Sequence, residues 1–155
     1  MLETSRKIAT LALLAISLAA SAGECDNACH ELKVEEYFNL LSEVYREDSE
    51  ESDIERLFSI FSSDVTYEHL NYEASFSREE WRNAFLDNQR RGAYRNGPNR
   101  FMNVEQYIHG KGYVAVSYSH VLRSEDGSLF PEGDQKLLAL FGMTDGRISS
   151  VQEYW

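Results

Sequence analysis

The sequence predicts an α+β domain in which three helices precede and pack inside a curved antiparallel sheet. Three observations predict it. Apolar residues recur at helical spacing in three runs between Glu31 and Asn88. Beyond Pro98 the period changes to two, and tight-turn dipeptides separate the runs. Between these regimes Leu57 to His69, reading LFSIFSSDVTYEH, passes from a helical pattern into an extended one.

The first helix is expected over Glu31 to Arg46. Val34, Phe38, Leu41 and Tyr45 form its apolar stripe, and Tyr37 and Val44 widen it. Glu47 to Asp53 is a charged connector. Ser52 to Glu55 reads as a capping box that opens the second helix, which carries Leu57, Phe58, Ile60 and Phe61 on one face. Ser62-Ser63-Asp64 breaks it, and a short strand begins at Val65. Ser77 to Glu80 is a second capping box. It opens a third helix that buries Trp81 and Phe85 and stops at Gly92.

Strands follow. Phe101 to His109 alternates in part and closes on Gly110-Lys111-Gly112. Tyr113 to Arg123 is the clearest strand, with Val114, Val116, Tyr118, His120 and Leu122 on one face. Ser124 to Gly133 is a polar loop. Lys136 to Thr144 is an apolar strand, and Asp145-Gly146 turns the chain into a final strand, Arg147 to Trp155. This run of strands beside helices is an α+β layout.

The N-terminus precedes the domain. Arg6 and Lys7, the apolar run Ile8 to Ala20, and the small residues of Ala20-Ser21-Ala22 follow the order of a secretory signal peptide. The run is too short for a membrane span of about 20 residues. Residues 1–22 are therefore expected to be a signal peptide, 23–33 an extension bearing Cys25 and Cys29, and 34–155 the domain. Export to a periplasmic or secreted location would follow, with no stable membrane insertion after cleavage. Removing 22 of the 155 residues leaves 133, enough for one core.

The formal net charge is −11, and loss of the leader makes it one unit more negative. An acidic surface argues against nucleic acid and anionic membranes as partners. In an exported chain an even cysteine pair usually forms a disulfide, though a spacing of four on a helix lies near the limit of disulfide geometry; a disulfide and free thiols both stay open. CDNACH differs from a haem-attachment motif by one extra residue between the cysteines. No dinucleotide, phosphate-loop or nucleophile-elbow motif is present, and no cofactor is expected.

His69 is the leading general acid/base candidate, since imidazole titrates near neutral pH. His120 is second, on the covered face of its strand. A histidine among apolar residues is more often a satisfied core group, but two on elements that meet favour a site. Tyr67 shares a face with His69, and Glu153 shares one with Trp155. Glu153 is read either as a pocket carboxylate or as a surface one. Tyr118 is more often a core aromatic than a donor. His69, His120 and Glu153 form a mixed metal-ligand set without any short-spaced motif, so no metal is assigned. His30 and His109 read as a linker and a turn residue. The basic stretches at Arg90-Arg91 and between Arg95 and Arg100 lie near the expected pocket mouth.

The element order, with LFSIFSSDVTYEH in the middle and DGRISSVQEYW at the end, resembles the nuclear-transport-factor-2-like superfamily and within it the SnoaL-like group. The resemblance implies a cone-shaped α+β half-barrel enclosing one pocket, often in a homodimer joined through the sheet. It implies either cofactor-free proton transfer on a small apolar or aromatic oxygenated compound, or ligand binding without turnover. In members similar to ketosteroid isomerase a carboxylate base stands where this chain has His69, and a phenol donor corresponds to Tyr37. Their second acid falls near Ala139, which cannot donate a proton. Glu153 matches one carboxylate position of the superfamily's epoxide hydrolases. Strand alternation and the resemblance together make His69, His120 and Glu153 the catalytic candidates, and Tyr37, Tyr67, Tyr118 and Trp155 the substrate-binding ones.

N-terminal sequencing of the exported protein is expected to start at Gly23; an intact Met1 end would contradict cleavage after Ala22.

Overall fold

The computed structural model describes residues 25–95 and 100–155. The leader expected over residues 1–22 lies outside them. Among the described residues no helix is long and apolar enough to cross a membrane.

Helix α1 spans Asn27–Val44, and α2 spans Glu51–Ser59. Strand β1 runs Phe61–His69 and ends in a 3₁₀ turn, Leu70–Tyr72. Strand β2 is Ala74–Ser77 and helix α3 is Arg78–Arg90. The remaining strands are β3 (Arg100–Gly110), β4 (Tyr113–Arg123), β5 (Leu129–Pro131), β6 (Leu137–Thr144) and β7 (Arg147–Tyr154). Neighbouring strands order as β2-β1-β7-β6-β4-β3, with β5 added alongside β4. The α+β layout is as predicted. The sheet is open and mixed: β1 pairs with β7 in parallel, and every other pairing is antiparallel.

Several boundaries differ from the sequence reading for identifiable reasons. Helix α1 begins four residues before Glu31 because the Asp26 side chain accepts the Cys29 N–H at 2.9 Å and caps it. Cys25 therefore precedes the cap instead of lying on the helix. That brings the two cysteine Cα atoms to 5.2 Å, and the Cys25–Cys29 disulfide forms. Both sulfurs are thereby unavailable for attaching haem. His30, expected in a linker, is buried on α1, and His109, expected in a turn, lies in β3 with Nε2 2.8 Å from Glu31. Helix α2 starts before Ser52, with the Asp53 carboxylate accepting the Glu50 N–H at 2.7 Å. Phe61 opens β1 instead of closing α2, and Ser62 to Asp64 occupy an irregular stretch of that strand. The polar loop after β4 contains β5, paired through Val121, Leu122 and Arg123.

The α2–β1 corner is fixed by two cations. Arg78 donates to the Phe58 carbonyl at 2.9 Å, and Arg147 donates to those of Ser59 at 2.7 Å and Phe61 at 3.2 Å. The Phe58 and Ser59 carbonyls end a helix, where positive charge is favoured, and Phe61 opens the strand that follows.

Two bulges decide which residues face inward. In β3 an extra residue, Glu105, interrupts the register, so Met102 and Val104 before it and Tyr107 and His109 after it share one face. In β7 Ser149 does the same, placing Ile148 on the face that carries Val151 and Glu153. The inner faces of β4, β6 and β7 close on α1 through aromatic packing. Tyr37 and Phe38 lie 5.2 and 5.8 Å from the Phe141 ring, and Phe38 lies 4.8 Å from that of Tyr118.

Candidate active site

Glu153 is the chemical centre of the concave face. It sits near the end of β7, opposite Ala139 of β6 and alongside His69 of β1 in register. Its residue is only 6% exposed. The Tyr67 hydroxyl donates to Oε2 at 2.6 Å, and the Tyr118 hydroxyl donates to Oε1 at 3.4 Å. Among the described residues Glu153 makes no ion pair.

Burial raises the Glu153 carboxyl above the usual carboxylate range; the Tyr67 hydrogen bond, the His69 charge and the Tyr118 hydrogen bond act against that rise. The tyrosines respond reciprocally. Tyr37, Tyr45, Tyr67 and Tyr118 are all raised above the ordinary phenol value, first by burial and next by the Glu153 charge. They are hydroxyl donors at every physiological pH, and the carboxyl is the group able to exchange a proton.

Above Glu153 is a cavity of about 90 Å³. Tyr37, Tyr67, Tyr118, His120, Glu153 and Trp155 line it, which brings together six of the seven site residues expected from the sequence. The seventh, His69, does not line it. Its ring is 5% exposed and packed 4.6 Å from that of Trp155 and 4.4 Å from that of Tyr72, and neither of its nitrogens has a hydrogen-bond partner. Trp155, whose ring packs against that of His69, lines the cavity in its place. His69 thus neighbours the carboxyl and is shielded from a ligand in this cavity. His69, His120 and Glu153 do not form a cluster that could hold a metal ion, among the described residues.

Five further lining residues concern this geometry: Tyr45, Trp81, Phe85, Arg100 and Met102. Tyr45, Trp81 and Phe85 carried a sequence signal only as buried helix positions. Arg100 had one as part of a basic stretch, and Met102 had none. Arg100 and His120 also line an adjoining groove of about 230 Å³, together with Glu132 and Gln135. Between cavity and groove, Arg100 holds Glu132 in a two-pronged pair with both contacts at 2.5 Å. Burial and the Arg100 charge lower the His120 imidazole below its ordinary value, against the opposing charge of Glu132.

No protein-family model matches the chain, and no curated protein matches it. Solved structures do. An epoxide hydrolase/cyclase-like enzyme, SalBIII, of pyran ring formation in salinomycin superposes with a TM-score of 0.58 at 17% identity, covering 84% of this chain and 92% of that one. An NTF2-like protein of unknown function from Burkholderia pseudomallei gives 0.54 at 12% identity, over 82% and 90% of the two chains. A SnoaL-like protein of unknown function from Burkholderia thailandensis gives 0.54 at 12% identity, over 83% and 96%. The chain has the NTF2-like fold. In this NTF2-like cone the cavity lies between the helices and the bent sheet, with Glu153 on its floor and the Arg100–Glu132 pair at its side.

The raised Glu153 carboxyl makes stability depend on pH with a definite sign. Its folded value lies above its unfolded one, so its contribution is fully present below the unfolded value and declines as pH rises through the raised one. Relative to the wild type, Glu153→Gln is therefore expected to gain in melting temperature as pH rises from the ordinary carboxylate range toward neutrality. A difference that is flat with pH, or falls, would show that the carboxyl is not raised.

Proposed function

We propose that the protein binds a small oxygenated organic compound in this cavity and moves a proton with Glu153, without a cofactor, as in an isomerase, dehydratase or cyclase. The carrying observation is the buried Glu153 carboxyl, held by the Tyr67 hydroxyl at 2.6 Å and open to a cavity lined by aromatic rings. A carboxyl raised toward neutrality can take a proton from one ligand atom and return it to another. Tyr67 orients the carboxyl, and Tyr37, or Tyr118 on giving up its long 3.4 Å contact with Glu153, can donate to a ligand oxygen that gains charge. His69 is a positioning residue in this reading: it packs behind Trp155 and its charge acts on Glu153. His120 stands at the junction with the outer groove, where a larger part of the ligand would lie.

A second reading, ligand binding without turnover, is supported by the size of the cavity. A cavity of about 150 Å³ admits benzene. The 90 Å³ here takes only a smaller group, so the aromatic wall nearly fills the cone.

Screening retained small molecules by native mass spectrometry, followed by turnover assays of the hits, tests the first reading. Glu153→Gln is expected to lower turnover by roughly 10²- to 10⁴-fold, whereas His69→Phe, of similar volume, lowers it far less. The opposite ranking would make His69 the base. A hit that binds and never turns over would favour the second reading.

We also propose that the protein is exported, and that two copies pair through the outer sheet face. Ile108, Tyr113, Leu138 and Tyr154 are exposed there, and the residues between them, Ala115, Ser117, Ser150 and Gln152, are uncharged. Glu68 of β1 borders this patch, accepting from Gln152 at 2.9 Å, and in an acidic chain the uncharged patch beside it is where two copies meet with the least like-charge repulsion. Light scattering is expected to give a dimer mass for the wild type and a monomer mass for Leu138→Glu; a monomeric wild type would refute the pairing.

A further inference from the structure

We propose that the groove beside the cavity binds neighbouring hydroxyl groups of the ligand, so that the compound acted on is an open-chain polyhydroxy ketone or aldehyde. Its carbonyl end enters the cavity over Glu153, and its vicinal hydroxyls lie against Arg100, Glu132 and Gln135. The proposal rests on the reading of the cavity as the place of proton transfer, and it names the class of compound that enters it.

The composition of the groove is the first support. Among the described residues it is lined by Arg100, His120, Glu132 and Gln135, with Gly133 beside them, and by no apolar side chain. The cavity differs: eight of its thirteen lining residues are Phe, Tyr or Trp. Arg100 and His120 line both spaces, so one ligand can extend from the first into the second. The compound that fits has a compact reacting end and a polar remainder.

Charge decides which polar remainder. Arg100 donates from Nε and Nη2 to the two Glu132 carboxylate oxygens, each at 2.5 Å, so each charge is matched by the other. A carboxylate or phosphate on the ligand would meet Glu132, and an ammonium group would meet Arg100. What the pair leaves over is hydrogen-bonding capacity: further N–H donors on the guanidinium, and a second lone pair on each carboxylate oxygen. A hydroxyl laid against the pair accepts from one and donates to the other through a single oxygen. The Gln135 amide offers a donor and an acceptor together, and so does the His120 imidazole, which is held toward its neutral form. Donors and acceptors set side by side in this way suit adjacent hydroxyls. An alkyl chain in the groove would strip water from these groups and return nothing, and a ketone or ether oxygen would leave Glu132 unmet.

The cavity suits the carbonyl end. By comparison with a benzene-sized cavity of about 150 Å³, its 90 Å³ takes about four non-hydrogen atoms, the size of a hydroxyacetyl end with its two carbons and two oxygens. The carbon between hydroxyl and carbonyl bears the acidic hydrogen. Glu153 takes that proton, the C–H electron pair forms the double bond of an enediol, and the carbonyl oxygen takes up charge against the Tyr37 hydroxyl, which is not bound to Glu153. Return of a proton to the same carbon restores the ketone. Return to the neighbouring carbon, with the proton of the first oxygen passing to the second, gives the isomeric hydroxyaldehyde. Neither outcome needs a co-reactant.

Erythrulose and 1-hydroxy-2-butanone share the hydroxyacetyl end, and only erythrulose carries hydroxyls on the other two carbons. Each is incubated with the wild-type protein in deuterium oxide. Proton NMR follows loss of the hydrogen between hydroxyl and carbonyl, with Glu153→Gln as the background, and saturation-transfer NMR gives the dissociation constants. The wild type is expected to favour erythrulose roughly tenfold or more in both kcat/KM for exchange and binding. Gln135→Leu is expected to cut that preference roughly threefold or more while leaving 1-hydroxy-2-butanone unchanged, a split that loss of folding would not produce. Equal handling of the two ketones, or preference for 1-hydroxy-2-butanone, overturns the hydroxyl reading and leaves Glu153 as the base. Preferential binding of erythrulose without exchange upholds the hydroxyl reading of the groove and overturns proton transfer by Glu153. Neither binding nor exchange with either ketone overturns both.

Discussion

One buried carboxyl governs the concave half of this molecule. Glu153 is 6% exposed, on a central strand, with two tyrosine hydroxyls on its oxygens. Removing a carboxylate from water costs several kcal/mol unless hydrogen bonds or a counter-charge return it. The surrounding architecture meets that demand with donors from two other strands. Parallel pairing of β1 with β7 places Tyr67 and His69 alongside it, and β4 supplies Tyr118 across β6. The Ser149 bulge in β7 matters for the same reason. It lets Ile148 enter the core at the turn while Val151, Glu153 and Trp155 keep the inner face.

Helix packing closes the site. Tyr37 and Phe38 project from α1 onto Phe141 and Tyr118, while Trp81 stacks on Tyr67 at 4.6 Å. The ring that holds Tyr67 against the core therefore also fixes the hydroxyl that binds Glu153. Core packing and site geometry are one set of contacts, so a substitution at Trp81 would act on both. The outer face shows the opposite economy. Gly142 of β6 lacks a side chain where a Cβ would meet the Ser150 hydroxyl, and would come within 3.2 Å of the Tyr113 ring. Those neighbours are side chains of β4 and β7, so the missing Cβ leaves them room to pack over the strand.

Most of the fold was legible because its signals are local. The Ser77–Glu80 capping box, the Gly92 stop with φ of 73° and the Asp145-Gly146 turn each stand where the sequence placed them. The Tyr113–Arg123 strand agrees to the residue. Its alternation holds through Tyr118 and then weakens, with Val121 buried from the opposite face and Leu122 half-buried, next to the β5 pairing that no periodicity announced. The site was less legible because its geometry is long-range. Alternation correctly put Tyr67 with His69 and Glu153 with Trp155. It carried no information on how two strands more than eighty residues apart would register, and that register decides which residue meets the cavity. His69 and Glu153 face the same way, and only the position of the Trp155 ring separates a lining residue from a shielded one. Arg100 and Glu132 are more than thirty residues apart, so neither reads as half of an ion pair.

That ion pair bears on what the cavity can select. Among the described residues Arg100 is the one permanent cation in the wall, and left alone it would dominate the charge of the cavity. Glu132 offsets that charge through a bidentate geometry that matches guanidinium to carboxylate. The backbone N–H of Glu132 also donates to the His120 carbonyl at 3.0 Å, so the acid is fixed by the sheet and does not hang on a free loop. With Arg100 matched and His120 held toward neutrality, Glu153 is left to set the electrostatic character of the cavity. The same carboxylate that must be desolvated to build the cone is then the acid that faces the cavity.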